Sequence, residues 1–172
     1  ASKWAAYVKK GETIEIAGPG AAFLASVEAD WYLFAGDMTA LPAIAVNLEK
    51  LHHQSKGLAL IEINSLEDKQ EFIKPKELEI KWILNPNPLE GCNKLIEALG
   101  NVQWQGKKPY AWVAVEFDLM RFARQLIKHE KSLPKESMYL SCYWKIGIDD
   151  LGIKRTKSAL ILIDSIKSLF RY

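Results

Sequence analysis

Cysteine is scarce in this 172-residue chain: Cys92 and Cys142 are the only two, far apart and without CxxC or Cys/His ligand spacing. That pattern excludes a disulfide framework, argues against a structural metal, and points to a reducing, cytoplasmic compartment. A charge excess of either sign is also missing. The 23 Lys+Arg against 21 Asp+Glu leave a formal net charge of +2, so no global electrostatic case for nucleic acid exists. No apolar run reaches the length needed to span a bilayer, and no signal peptide opens the chain, so no membrane is expected. No Ser-His-Asp set, P-loop or paired-carboxylate signature stands out, so an enzyme built on this sequence leaves the hard step to a cofactor. The first residue is Ala1 rather than methionine, and the chain is expected to be a piece of something longer.

What is present is apolar content of 49%, enough for one compact domain with a real core. Residues 12–17, "ETIEIA", alternate as a half-buried strand should, and "GPG" at 18–20 stops them. From Trp31 the character changes. "WYLFA" at 31–35 is a continuous apolar run, typical of a parallel strand covered on both faces. Residues 38–51 then place Leu41, Ile44, Ala45, Leu48 and Leu51 on one helical stripe. Further strands are expected at 58–63, 77–84, 109–115 and 137–144, and a short helix with a capping-box-like start at 65–68. Longer helices are expected at 89–99, 117–129 and roughly 148–171. Alternation over five units implies α/β architecture, a five-stranded parallel sheet flanked by helices. The 12–17 strand precedes the alternation and reads as the tail of a different, antiparallel module joined through 18–30.

Ligands of open α/β sheets bind outside the carboxyl ends of the strands, near the switch in strand order. That rule selects 35–40, 62–65, 115–118 and 143–147. In "AGDMTA" at 35–40, Ala35 and Gly36 permit close backbone approach, and Thr39 with the helix amides offers a phosphate hydrogen bonds and a dipole. Asp37 would repel a pyrophosphate if it pointed inward, so it is expected at the rim or capping the helix. The bland reading, an ordinary βα turn, is favoured by spacing alone. Glu62 ends the second strand, where dinucleotide sites place a ribose-binding acid; an outward-facing strand residue is at least as good an account. Glu116 is explained by the macrodipole of the helix it precedes. Tyr143, Trp144 and Lys145 set two aromatics beside a cation, suited to a planar ring or an anion, or else to core and solvent. His52, His53 and His129 read as surface residues.

Taken together, these segments resemble the C-terminal domain of the siderophore-interacting proteins, the flavin-dependent ferric-siderophore reductases. The resemblance rests on "SKWA" at 2–5, "GETIEIAGPG" at 11–20, "DWYLFAGDMTALPAI" at 30–44, "YAWVAVE" at 110–116 and "YLSCYWKIG" at 139–147, in that order. It implies a ferredoxin-reductase-like architecture, with 1–29 as the tail of an FAD-binding barrel plus linker, and 30–172 as the NAD(P)H-binding-type domain. It implies iron transport chemistry: Fe(III) held by a siderophore is reduced and Fe(II) released, with electrons from NAD(P)H or from ferredoxin through FAD. Under that resemblance Ser2 contacts the FAD pyrophosphate with Ala1 and Lys3 beside it. Ala35, Gly36, Asp37, Thr39 and Ala40 line the dinucleotide site, flanked by Glu116. Tyr143, Trp144 and Lys145 face flavin and substrate, and Lys145 with Arg155 attracts an anionic siderophore. No side chain is expected to act as acid or nucleophile. Val115 stands where the family commonly has glycine, and its branched side chain is expected to crowd the nicotinamide. A general flavin reductase of the same superfamily, or a non-catalytic siderophore- or protein-binding module, remain the alternatives.

Overall fold

Five apolar runs form the strands of one parallel sheet in the computed structural model, which describes residues 2–16, 23–88 and 94–148. They are β1 (Trp31–Gly36), β2 (Gly57–Ile63), β3 (Leu78–Leu84), β4 (Pro109–Glu116) and β5 (Met138–Trp144), in the order β3-β2-β1-β4-β5. Parallel strands need crossovers, and these are right-handed in nearly all proteins. The chain leaves β1 toward β2 and β3, then returns past β1 to β4 and β5. The direction reverses at β1, so the helices divide between the faces. Helix α2 (Leu41–Lys50) covers one face, packing Ile44 and Leu48 on Phe34, Ile61, Ile63 and Trp112. Helices α3 (Lys94–Gly100) and α4 (Phe117–Gln125) cover the other, packing Leu95, Leu99, Met120 and Ala123 on Leu33, Leu60, Val113 and Val115. The central β1 and β4 are buried along almost their whole length, which is why they read as unbroken apolar runs.

Three local features depart from the sequence expectation. The 65–68 segment is a single 3₁₀ turn, Leu66–Asp68, closed by Asp68 Oδ2 accepting from the Ser65 amide at 2.8 Å. The helix from 117 changes at its end into a π turn, Leu126–Glu130, with the Lys131 amide donating to Leu126 O at 3.0 Å. The wider turn lets the consecutive Leu126 and Ile127 both reach the core. Residues 12–16 form no strand, and Ile14 and Ile16 are 52% and 89% exposed. An alternating strand is held by cross-strand pairs, and no described residue supplies a partner for this one. A six-residue helix α1 (Ser2–Tyr7) comes before it. Of the helix expected over 89–99, residues 94–99 fall in α3 and 89–93 lie outside the described residues, as does all but the first residue of the helix expected over roughly 148–171.

Residues 23–29 form a strap across the α2 face. Trp112 Nε1 donates to Phe23 O at 2.9 Å, the Ala25 amide donates to Asn47 Oδ1 at 2.8 Å, and Tyr32 Oη donates to Ser26 O at 2.9 Å. At the other end of the strap, Asp30 accepts from the Lys107 and Lys108 amides at 2.7 and 2.9 Å and so fixes the entry of β4 beside β1.

Candidate functional site

Strand order reverses between β1 and β4, and the carboxyl ends of these strands carry Gly36 and Glu116. Asp37 follows Gly36 and is only 8% exposed. Its extended backbone makes it the cap of the turn Met38–Ala40 that leads into α2. Asp37 Oδ1 accepts from the Thr39 amide at 2.9 Å and from Thr39 Oγ1 at 2.5 Å. Asp37 Oδ2 accepts from Trp144 Nε1 at 2.7 Å. The indole of Trp144 therefore reaches from β5 across the end of β4 to β1, over the point where strand order switches.

The amides that lead into α2 are engaged within the turn. The Ala40 amide donates to Asp37 O at 2.9 Å, the Leu41 amide to Met38 O, and Pro42 has none to offer. Gly36 is explained by packing. A Cβ built there would stand 2.7 Å from Ala40 Cβ and 2.8 Å from Ile44 Cδ1. The lone glycine lets α2 lie close on β1, the role of one of several glycines in a dinucleotide turn. Ala35 and Ala40 are fully buried, so their methyls pack the core and line no cleft. Val115 is likewise fully buried against the α4 side, among Phe117 and Met120. Its branched side chain thus points into the core, which corrects the expectation that it crowds a ligand.

Glu116 caps α4 as the macrodipole argument requires. Its Oε2 accepts from the Asp118 and Leu119 amides at 2.6 and 3.4 Å, and its Oε1 from the Ile146 amide at 3.4 Å. One carboxylate thereby ties the start of α4 to the turn after β5. Glu116→Ala is expected to cost about 0.5–2 kcal/mol, the range for a lost N-cap, measured as a lowered urea midpoint with unchanged slope.

Glu62 neighbours Asp37 at the edge and is 5% exposed, with its Oε2 lacking a hydrogen-bond partner among the described residues. Burial pushes its carboxyl above the ordinary glutamate value, the Asn85 hydrogen bond opposes this, and the Asp37 charge adds to it. A raised folded value means the native state binds the proton more tightly, so stability falls as pH climbs from the usual carboxylate range through the folded value. Glu62→Gln removes this dependence. The variant is expected to gain on the wild type as pH rises through that window, read from thermal melts at stepped pH; a constant difference would contradict it.

The three neighbours on β5 are separated by the pleat. Tyr143 packs edge-on against Trp112 on the α2 face, with centroids 6.3 Å apart. Burial first, then Tyr139, pushes its phenol up to about 12, so it is a neutral hydroxyl at physiological pH. Trp144 packs on the opposite face, and Lys145 Nζ lies 4.2 Å above the Phe117 ring. The structure joins Asp37, Thr39, Trp144 and Glu62 at one edge, but it does not bring Tyr143 to the Trp144 side. The side chains of Ala1, Ser2 and Lys3, and all of Arg155, lie outside the described residues. Sequence reasoning did not single out Asn85, which is buried beside Glu62, or Lys94, which donates to Leu84 O at 2.9 Å. The two asparagines of "NPNP" gave no signal beyond a turn.

A doubly wound five-stranded parallel sheet with helices on both faces and polar side chains gathered at its carboxyl edge defines an open α/β domain. The chain belongs to the siderophore-interacting protein family, whose pattern matches residues 29–147. It is 30% identical over 145 residues to the ferric vibriobactin reductase ViuB of Vibrio cholerae, covering 84% of this chain and 54% of that protein. A siderophore utilization protein from T. fusca superposes with a TM-score of 0.67 at 27% identity, over 72% of this chain and 48% of that one. The siderophore-interacting protein SipS from Aeromonas hydrophila shares the fold, with a TM-score of 0.70 at 22% identity over 77% of this chain and 53% of its own. The chain thus spans about half the length of these relatives.

Proposed function

We propose that this chain is the α/β half of a cytoplasmic flavoprotein that reduces ferric siderophores and releases Fe(II). The observation that carries the reading is its match to a ferric siderophore reductase along 84% of its length. FAD, when bound, supplies the one-electron steps that convert siderophore-held Fe(III) to Fe(II). Most flavin contacts belong to sequence outside this chain, since it spans about half of its relatives. The exposed Ile14 and Ile16 and the unpaired alternation of 12–16 suit a strand completed by a preceding flavin-binding barrel.

The pyridine nucleotide implied by the resemblance does not fit the edge as it stands. A pyrophosphate needs free amides and a positive helix end; here the amides of Thr39, Ala40 and Leu41 are spent, and a carboxylate occupies the position. Lys145 remains on the substrate side as a half-buried cation, and a few placed cations suffice to draw an anionic siderophore.

The reading is tested with protein from the full native reading frame, dithionite-reduced and freed of excess reductant. It is offered ferric siderophore or free oxidised flavin in the presence of an Fe(II) chelator. Rapid Fe(II) release with slow reduction of free flavin is expected. The reverse preference would move the protein to the general flavin reductases.

A further inference from the structure

We infer that Asp37 is the residue that decides which reductant this edge accepts: it fills the phosphate position at the start of α2 with the protein's own carboxylate. A pyridine dinucleotide is thereby refused. The refusal rests on the carboxyl edge being the ligand side of an open α/β sheet; only the choice of reductant rests on the reductase reading.

Three independent observations converge. The carboxylate is where an anion would be held, its Oδ1 accepting both the amide and the hydroxyl of Thr39. Ala40 and Leu41 spend their amides on Asp37 O and Met38 O, and Pro42 has none, so the donors that the carboxylate itself holds are one backbone amide, that of Thr39, and two side-chain groups, Thr39 Oγ1 and Trp144 Nε1. The third is the bond from Trp144 Nε1 to Oδ2, which holds Asp37 from the far side of β4 and lays an indole across the switch point. A ligand entering there would have to break that bond, move the indole and bring its negative charge against Asp37. Glu62 beside it adds a second buried carboxyl, so the edge repels phosphate more strongly as that group ionises. The reductant that suits such an edge brings no pyrophosphate to it; a protein-borne one-electron carrier is of that class.

The test is isothermal titration of full-length protein with NADH, NADPH and sodium pyrophosphate, in the wild type, Asp37→Asn and Asp37→Ser. Serine keeps a helix-capping oxygen while removing the charge, so it guards against loss of the fold; circular dichroism and thermal melting check both variants. The wild type is expected to show no saturable heat into the millimolar range. The folded variants are expected to bind pyrophosphate and at least one nucleotide, tighter by at least about tenfold. Saturable nucleotide binding by the wild type, or folded variants that gain nothing, overturns the inference. Reoxidation of dithionite-reduced flavin by ferric siderophore is followed on the same samples. A flavin inert to the siderophore counts against the reductase reading alone, and a wild-type nucleotide isotherm counts against Asp37 alone.

Discussion

Replacing Trp112 with alanine is expected to lower the unfolding free energy by about 3–5 kcal/mol, the range for deleting a large buried aromatic. Trp112 is 1% exposed at the centre of β4. Its ring stacks on Tyr139 at 5.3 Å, tilts against Phe34 at 6.2 Å, and takes Tyr143 edge-on. Tyr139 stacks in turn on Phe23 at 5.2 Å. The indole N–H also holds the 23–29 strap through Phe23 O, so truncation opens a cavity and unfastens the strap together. Urea denaturation measures the loss. A change below about 1 kcal/mol would mean that the α2 face collapses freely around the gap.

The second large effect is expected at Gly57, the first residue of β2. A Cβ there would stand 2.2 Å from Tyr32 O and 3.0 Å from Tyr32 C, both backbone atoms of the paired strand. Nothing can rotate aside, so Gly57→Ala must push β2 away from β1 at the start of their ladder. Overpacking typically costs about 1–3 kcal/mol, and this site belongs at or beyond the upper end of that range. Gly36→Ala makes the useful contrast. Its nearest neighbours are the methyl of Ala40 and the tip of Ile44, side-chain atoms rather than the backbone of a paired strand, so the smaller loss belongs to Gly36. Thermal melts of the two variants side by side test the ranking, and a larger loss at Gly36 would contradict it.

Most of the fold was legible because parallel strands buried on both faces leave unbroken apolar runs. "WYLFA", "LALIEI" and "PYAWVAV" place β1, β2 and β4 within a residue or so of their observed ends. The π turn at 126–130 was not legible, since its sequence keeps helical spacing almost to the end. The strand expected at 12–17 follows a period-2 pattern that is real in the sequence. A strand also needs a neighbour, and pattern alone does not supply one. At the site, the capping roles of Asp37 and Glu116 followed from position at the βα junctions. The bond between Trp144 and Asp37 joins residues 107 apart in sequence. Only the strand order brings them together, and no local motif announces it. Tyr143 and Trp144 show the converse: neighbours in sequence are sent to opposite faces by the strand's alternation.

The central claim is that this chain forms part of a ferric-siderophore reductase. Its most direct test is an anaerobic titration of the full-length protein, reconstituted with FAD and photoreduced, with a ferric siderophore, following the flavin's visible band. The account predicts that the bleached band recovers in step with added iron, two equivalents of Fe(III) per two-electron-reduced flavin. A protein that cannot be reconstituted with FAD, or a reduced flavin that stays bleached in excess ferric siderophore, would contradict it.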